Sequence, residues 1–384
     1  MSVTRNDVTS ETSPQNRRSR PLLVVACGEF WRGLTTPSLT ALLTALSVTA
    51  ALVLSCFVFI RPCMMASGGH RYFALTEYDT YNSVTGRAIS LSRARNCAPA
   101  VFFLGTSADE EALTSCDQLA QLVAEKIDIT PVVHDLTMAG QTHWEMAALT
   151  DMLPEHFDGV VLLGLGVAPP RFLLPGTELA QLVETPRLGF VSEAFDREIS
   201  LAGLKVPERR GNYFWDNRKY FAMRIPSLFR NILTAPPVYE GHTEFYQIRA
   251  RFFNLEEEIT RTRKLLQDYG TAAPRGLAVF ERIAQSLKRR GRVAVVIMQS
   301  PANPQFIDKT WGRASYNAHK ERMHLFAAQH RIFYWDLTDS AALTADDFYD
   351  WTHIQSHEAK KRYMHALAQK LAELLGKTAA KEAE

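Results

Sequence analysis

The chain has 384 residues, 46% of them hydrophobic, and 43 basic residues nearly balance 41 acidic ones to give a net charge of +2. This composition suits one large or two smaller globular domains. A near-neutral chain without a basic run is not typical of nucleic-acid-binding proteins. Five cysteines are too few for a disulfide scaffold.

The N-terminal part changes composition at residue 33. Residues 1–20 are polar and rich in Ser, Thr, Asn and Arg, which is typical of a disordered tail. Residues 33–60 contain no charged side chain. A helix of that length exceeds the ~30 Å hydrocarbon core of a bilayer, so we expect a transmembrane anchor. The alternative is a cleaved signal peptide, but the apolar run is long for one and no small-residue cleavage site follows it before Arg61.

Positive charge is concentrated before this segment. Arg17, Arg18, Arg20 and Arg32 precede it, whereas the residues from Arg61 onward are closer to neutral balance. The positive-inside rule therefore predicts a cytoplasmic tail over 1–32 and a location outside the cytoplasm for the rest. We expect residues 61–99 to form a juxtamembrane linker.

From residue 100 onward, short apolar runs alternate with amphipathic segments. The strand patterns, in chain order, are AVFFLG, VVHDLT, GVVLLGLG, RVAVVIMQSP and RIFYWDLT. Helical patterns include SADEEALTSCDQLAQLVAEKI and RGLAVFERIAQSLKRRG, the second closed by Gly291. This alternation predicts an α/β domain over 100–376 with a mainly parallel sheet covered on both faces.

The last helical pattern begins after Ser356, a predicted N-cap, and ends at Gly376, a predicted stop. Residues 377–384 would then be a C-terminal tail. Nearer the start of the domain, Cys97 and Cys116 flank the first strand and turn. An oxidising compartment would allow a disulfide between them. Two buried free thiols are an equal alternative, because sequence does not supply the separation of the two residues.

Polar residues follow three of the predicted strands, in the segments GTSADE, TMAGQTHWE and DWTH. Ligands bind at the carboxyl ends of parallel strands. Ser107 would project from a tight turn beside a helix N-terminus, whose free N–H groups suit a developing oxyanion. Its hydroxyl needs a base and the base needs an orienting acid, roles that His353 and Asp350 can fill. The alternative is that Ser107 is only an N-cap.

A long insertion, residues 169–274, separates the two parts of this domain. It contains RRGNYFWDNRKYFAMR, followed by a helix opened by Asn254 and ended near Gly270. Interleaved aromatic and basic residues suit a lid or groove for an anionic or sugar-containing polymer. The simpler interpretation is a helical subdomain with aromatic residues in its core and basic residues at its surface.

A metal site receives little support. His353 and His357 have the i, i+4 spacing that places two imidazoles on one helix face. However, Ser356 as the helix cap leaves His353 outside the helix, and no pattern supplies a third ligand. We therefore predict no metal and no cofactor.

The segments LGTSADE, AGQTHWE, QSPANP and DWTHIQSHEAKKRYMHAL, in that order, resemble the SGNH/GDSL hydrolase superfamily. The likeness covers roughly 100–166 and 291–376. It implies a three-layer α/β sandwich with Ser107 as nucleophile, Asp350 as orienting acid and His353 as base. It also implies Gly140 as an oxyanion donor.

Two blocks depart from the superfamily pattern. Thr106 stands where Asp is usual, and the chain has GLGVAP where the superfamily commonly has Gly-x-Asn. The missing Asn removes one oxyanion donor and leaves the backbone N–H groups of Ser107 and Gly140, with Gln141 as a candidate replacement. In other enzymes the loss of one such donor slows the chemical step by ~10²–10³-fold.

With the predicted anchor, these departures resemble a membrane-anchored branch of the superfamily. That branch includes the D-alanyl transfer protein of teichoic acid modification and the alginate O-acetylation proteins, which work beside a multi-span membrane O-acyltransferase. The resemblance implies an extracytoplasmic serine acyltransferase or esterase that acts on acetyl or D-alanyl esters of a cell-surface polysaccharide or teichoic-acid-like polymer. The alternative is a non-catalytic scaffold that binds the polymer or a membrane O-acyltransferase, which the weak third block favours.

Overall fold

The computed structural model describes residues 38–94, 99–166, 176–239, 254–267 and 269–380. The chain divides into two compact units, Met1–Val58 and Phe59–Glu384. Helix α1 (Leu39–Phe59) accounts for nearly all of the described part of the first unit. The predicted cytoplasmic tail, 1–32, lies outside the described residues.

Helix α1 has 21 residues and a mean hydropathy of 2.3, and none of its side chains is buried. Within the described residues it is the one helix that is long and apolar enough to cross a membrane. The prediction of a single membrane-spanning segment is therefore supported over Leu39–Phe59, and residues 33–37 of that segment lie outside the description.

The second unit is built around a five-stranded sheet. Its strands are β1 (Ala100–Leu104), β2 (Val132–Asp135), β3 (Gly159–Leu165), β4 (Val293–Gln299) and β5 (Phe333–Asp336). They lie in the order β2-β1-β3-β4-β5, and every neighbouring pair is parallel. The α/β class with a parallel sheet is confirmed, and each of the five predicted strands is present.

The α-helices described after α1 are α2 (Pro62–Ala66), α3 (Thr80–Leu91), α4 (Ser107–Glu111), α5 (Cys116–Ile127), α6 (His143–Asp151), α7 (Gly176–Glu184), α8 (Glu193–Leu201), α9 (Tyr213–Asp216), α10 (Arg218–Thr234), α11 (Leu255–Leu266), α12 (Tyr269–Leu287), α13 (Pro304–Thr310), α14 (Arg313–Gln329) and α15 (His357–Ala380). Short 3₁₀ turns occupy Gly69–Phe73 and Ala345–Asp347.

Two hydrophobic clusters contain alternate residues of the buried strands. Phe102 and Leu163 belong to a cluster that includes residues of α3, α6, α12 and α14. Phe103 and Leu162 belong to a second cluster with residues of α5 and α15. Because successive side chains of a strand point to opposite faces of a sheet, the two clusters draw on opposite faces of the central strands.

The prediction of a linker is wrong over the described residues 61–94, because they fold as part of the second unit. Val84, Ala88 and Leu91 of α3 are buried in the same cluster as Phe102. The sequence did not predict this helix because its polar residues suggested an exposed segment. In the structure several of them are buried and have hydrogen-bond partners inside the protein. One of them, Asn82, accepts a hydrogen bond from the hydroxyl of Tyr220 at 2.9 Å.

Three predicted helix boundaries are also corrected. The segment after β1 forms two helices, because the Ser115 side chain accepts a hydrogen bond from the N–H of Gln118 and starts α5. Gly376 does not have the positive φ of a C-terminal cap, and α15 continues to Ala380. Gly270 lies inside α12 rather than at the end of α11, whereas Asn254 caps α11 as predicted.

The described part of the insertion is helical, as the simpler interpretation predicted. Tyr220 and Phe221 of α10 are fully buried. Arg224 is a correction, because it is buried rather than at the surface. Its guanidinium forms an ion pair with Asp79, whose side chain caps α3.

Candidate active site

The turn after β1 places Ser107 at the start of a short helix. Thr106 has extended backbone angles and is the N-cap of α4, and Asp109 completes a reciprocal capping box by accepting the N–H of Thr106 at 2.7 Å. The alternative that Ser107 is the N-cap is therefore wrong. Ser107 is the first helical residue, and its hydroxyl is available for another partner.

The structure brings together the three residues predicted to form a triad. The Oγ atom of Ser107 lies 3.0 Å from Nε2 of His353. The other ring nitrogen, Nδ1, lies 2.8 Å from Oδ2 of Asp350. All three residues are buried. The distances are those of direct hydrogen bonds across 246 positions of sequence between the serine and the histidine.

The environment of Asp350 favours its carboxylate form. Burial alone would raise the pKa of Asp350, but the hydrogen bond and charge of His353 and two backbone N–H groups outweigh it and lower the pKa. Those N–H groups belong to Thr352 and His353 and lie 2.8 and 2.9 Å from Oδ1. Oδ1 thus stabilises the conformation of the loop, while Oδ2 orients the imidazole.

The loop after β4 supports the loop that carries Asp350 and His353. The Thr352 hydroxyl donates to the carbonyl of Pro301 at 2.6 Å. Asn303 donates its N–H to the carbonyl of Trp351 at 3.0 Å and its side-chain amide to that of Asp350 at 3.3 Å. The conformation of the acid–base loop therefore depends on the segment QSPANP, for which sequence alone gave no role.

The helix that carries Ser107 is also tied to the helix that follows His353. Lys360 of α15 lies 3.1 Å from Glu111 of α4, with side-chain exposures of 9% and 3%. A buried ion pair of this kind fixes the relative position of two elements, because either charge alone would be costly inside the protein. It holds together the two sides of the Ser107–His353 contact.

The second predicted loop adjoins the serine turn. The N–H of Met138 donates to the carbonyl of Gly105 at 3.0 Å, and Gln141 and Thr106 line one small cavity. Gly140 has a φ of +68°, a conformation that a glycine adopts without the steric cost of a side chain. The structure thus brings the loop with the predicted oxyanion glycine next to the nucleophile turn.

Gln141 braces its own loop. Its backbone N–H donates to the carbonyl of Met138 at 3.0 Å, and its side-chain amide donates to that of Leu136 at 2.8 Å. The residue is 1% exposed. Its role as a replacement oxyanion donor stays a prediction, and the third-block residues 167–170 lie outside the described part of the chain.

Asp109 is a buried residue of the site that the sequence analysis did not select. Its Oδ2 atom accepts a hydrogen bond from the Ser300 hydroxyl at 3.1 Å. A Cβ atom at Gly105 or Gly164 would lie 2.4 Å from the same oxygen, so both positions need glycine to make room for the carboxyl. Burial raises the pKa of Asp109 to about 6, against the opposing effect of its hydrogen bonds. The spacing Thr106-x-x-Asp109 was the signal for its capping role.

The other sequence candidates lie elsewhere. His357 is the first residue of α15, and no group of three or more His, Cys, Asp or Glu side chains suited to a metal was found among the described residues. Cys116 carries a free thiol, and burial raises its pKa to about 12. Cys97, its predicted partner, lies outside the described residues.

In the comparisons with known proteins, no family model matches this chain, and no curated protein matches it.

Proposed function

We propose that the second unit is a serine acyltransferase or esterase of SGNH type with a three-layer α/β fold. The observation that carries the proposal is the hydrogen-bonded series Ser107–His353–Asp350 at the carboxyl edge of a parallel sheet. If the three side chains had only structural roles, nothing would require them to hydrogen-bond to one another in the order that a catalytic triad needs.

In this proposal His353 removes the proton from the Ser107 hydroxyl as the oxygen attacks an ester carbonyl. Asp350 holds the Nδ1–H tautomer and stabilises the imidazolium that forms. The negative charge on the former carbonyl oxygen is met by the backbone N–H groups of Ser107 and Gly140. His353 then gives its proton to the departing alcohol, which leaves an acyl group on Ser107.

A second alcohol or water completes the reaction by attacking the acyl-enzyme, with His353 again as the base. Ser107 is 8% exposed and His353 is 4% exposed. Transfer to an alcohol would require a bound acceptor that displaces water from the acyl group, whereas entry of water would give hydrolysis. We propose acetyl or D-alanyl esters as the acyl donors and a surface polysaccharide or teichoic-acid-like polymer as the acceptor.

The proposed setting is the outer face of a bacterial cytoplasmic membrane, with α1 as the anchor and the N-terminus inside. The apolar helix supports an anchor, and the arginines before residue 33 support this orientation. A multi-span membrane O-acyltransferase would be the partner that delivers the acyl group across the membrane.

The test uses the full-length protein in detergent with 4-nitrophenyl acetate, with and without a polysaccharide acceptor. Wild type should release nitrophenol, and acceptor should increase the rate and become acetylated, whereas Ser107→Ala should be inactive. In cells, Ser107→Ala should lower the ester content of the surface polymer. Normal polymer acylation with Ser107→Ala would support the non-catalytic scaffold instead.

A further inference from the structure

The loop that contains Gly140 is held by an arginine from the insertion. Nη2 of Arg187 donates to the carbonyl of Gly140 at 3.1 Å, and Nη1 lies 3.4 Å from the carbonyl oxygen of Ala139. The same guanidinium pairs with both carboxylate oxygens of Glu145, with Nε 2.7 Å from Oε1. Glu145 is 3% exposed and in turn caps α6 through Thr142.

A tyrosine from α3 completes this arrangement. The Tyr81 hydroxyl donates to the carbonyl of Ala139 at 2.8 Å and accepts a hydrogen bond from Nη1 of Arg187 at 3.1 Å. The guanidinium also lies over the tyrosine ring, 4.9 Å from its centre. Burial alone would lower the pKa of Arg187, but the adjoining Glu145 carboxylate raises it, so the guanidinium keeps its charge and its donors.

These contacts bear directly on the direction of one N–H group. The carbonyl of Ala139 and the N–H of Gly140 belong to the same planar trans peptide, and they point to opposite sides of the chain. Fixing the carbonyl therefore fixes the N–H. Gly140 has no Cβ atom and can adopt either sign of φ, so this peptide can rotate unless something holds it in the observed conformation with φ +68°. Tyr81 and Arg187 hold it from the side opposite the N–H.

We propose that Tyr81 and Arg187 are positioning residues that aim the Gly140 N–H at the oxyanion formed during attack by Ser107. This inference rests on the proposed function. Through Arg187, the insertion would contribute to stabilisation of the transition state. This role differs from the lid or polymer-binding groove considered from the sequence. Tyr81 also gives α3, in the segment predicted to be a linker, a place in the catalytic apparatus.

The test compares an ester with the matching thionoester, in which sulfur replaces the carbonyl oxygen. Sulfur is a weak hydrogen-bond acceptor, so turnover of the thionoester depends little on oxyanion donors. Tyr81→Phe removes the donor to Ala139 and should lower kcat for the ester by on the order of tenfold, with KM nearly unchanged. The rate on the thionoester should change much less, so the ester-to-thionoester ratio of kcat/KM should fall.

Matched controls separate this effect from loss of folded protein. Tyr316→Phe removes a hydroxyl that donates to the carboxylate of Asp336 at 3.2 Å, at the end of the edge strand farthest from β2, and should leave the ratio unchanged. A reduced fraction of folded enzyme lowers both rates equally and also leaves the ratio unchanged. The ratio therefore reports the oxyanion contact alone.

Arg187 is tested together with its carboxylate partner, because removing the arginine alone would leave Glu145 buried and unpaired. The double variant Arg187→Met with Glu145→Gln should lower the ester-to-thionoester ratio by on the order of tenfold. The matched pair is Arg209→Met with Asp196→Asn, which removes another insertion ion pair and should leave the ratio unchanged.

Wild-type activity that depends on Ser107, combined with an unchanged ratio in Tyr81→Phe and in the Arg187 double variant, would overturn this inference and leave the proposed function standing. A wild-type protein that turns over neither ester would overturn the proposed function and the inference with it.

Discussion

Two of the buried carboxylates that contact basic partners, Asp350 and Asp79, have different consequences. Asp350 contacts His353 and has a side-chain exposure of 6%, whereas Asp79 contacts Arg224 and has an exposure of 4%. An imidazole gains and loses a proton near neutral pH, but a guanidinium stays charged. The Asp350–His353 pair at the sheet edge is therefore suited to proton transfer. The Asp79–Arg224 pair, although similarly buried, is a permanent ion pair between α3 and α10. The chemistry of the partner, more than burial, distinguishes the two regions.

The largest expected effect is the loss of ester turnover when the Asp350–His353 pair is changed. His353→Ala should lower ester turnover by on the order of 10⁶-fold, and adding Ser107→Ala should make it little worse, because triad members act as a unit. Asp350→Asn should cost on the order of 10⁴-fold by favouring the wrong imidazole tautomer. Steady-state rates with 4-nitrophenyl acetate measure both, and additive losses in the double variant would argue against a common unit.

The Asp79–Arg224 pair should show the opposite behaviour, with a large loss of stability. Arg224→Met leaves a buried carboxylate without its cation and should lower the free energy of unfolding by about 3–5 kcal/mol. Adding Asp79→Asn should recover part of the loss while retaining a cap on α3. Urea unfolding in detergent measures these changes, with turnover per folded molecule as a second readout.

The control for this comparison is Arg209→Met. That residue and its partner Asp196 have side-chain exposures of 29% and 20%, so the cost should be about 1 kcal/mol or less. Equal losses for Arg209→Met and Arg224→Met would show that burial of the Asp79 pair has no special effect.

Asp109 is a third buried carboxyl group for this comparison. The partners that it contacts are hydroxyl and backbone N–H groups, whereas Asp350 and Asp79 contact basic side chains. Its folded pKa of about 6 is above the ordinary value for Asp, so the folded state binds the extra proton between about pH 4 and 6. Stability from this group should thus fall as the pH rises through that window, by up to about 3 kcal/mol. Asp109→Asn should remove this slope in unfolding curves from pH 4 to 7, and parallel curves for the two proteins would contradict the assignment.

The smallest effect concerns the turn itself. Thr106 caps α4, so Thr106→Ala should cost about 1 kcal/mol of stability. Ser107→Ala should cost less, because Ser107 is not the cap. Thermal or urea unfolding of the two variants checks the order, and a larger loss for Ser107→Ala would return the capping role to that residue.

The five strands were predictable because β-branched and aromatic residues form dense apolar runs bounded by turn residues. Asp350 and His353 were predictable as neighbours because they are three positions apart in one loop. The contact of His353 with Ser107 was predicted from the position of both loops at the carboxyl ends of parallel strands and from the resemblance, since chain position alone does not give the strand neighbours.

The supporting residues were not predictable in the same way. Tyr81 and Arg187 lie 106 positions apart and meet Ala139 only through tertiary packing. Asp79 and Arg224 look like ordinary surface charges in the sequence, because nothing local shows that each is the other's partner. The helix α3 was missed since four of its nine buried residues are polar, and burial of polar side chains becomes favourable only when they find hydrogen-bond partners.

The central claim is that Ser107 carries the acyl group, and the most direct measurement is the mass of the quenched enzyme. Full-length protein is mixed with 4-nitrophenyl acetate, stopped with acid within the first turnover and digested for mass spectrometry. We predict one acetyl group on the peptide that contains Ser107, and none on that peptide in Ser107→Ala or His353→Ala at the same time point. Acetylation that is equal in wild type and in Ser107→Ala, or that lies on another residue, would contradict the account.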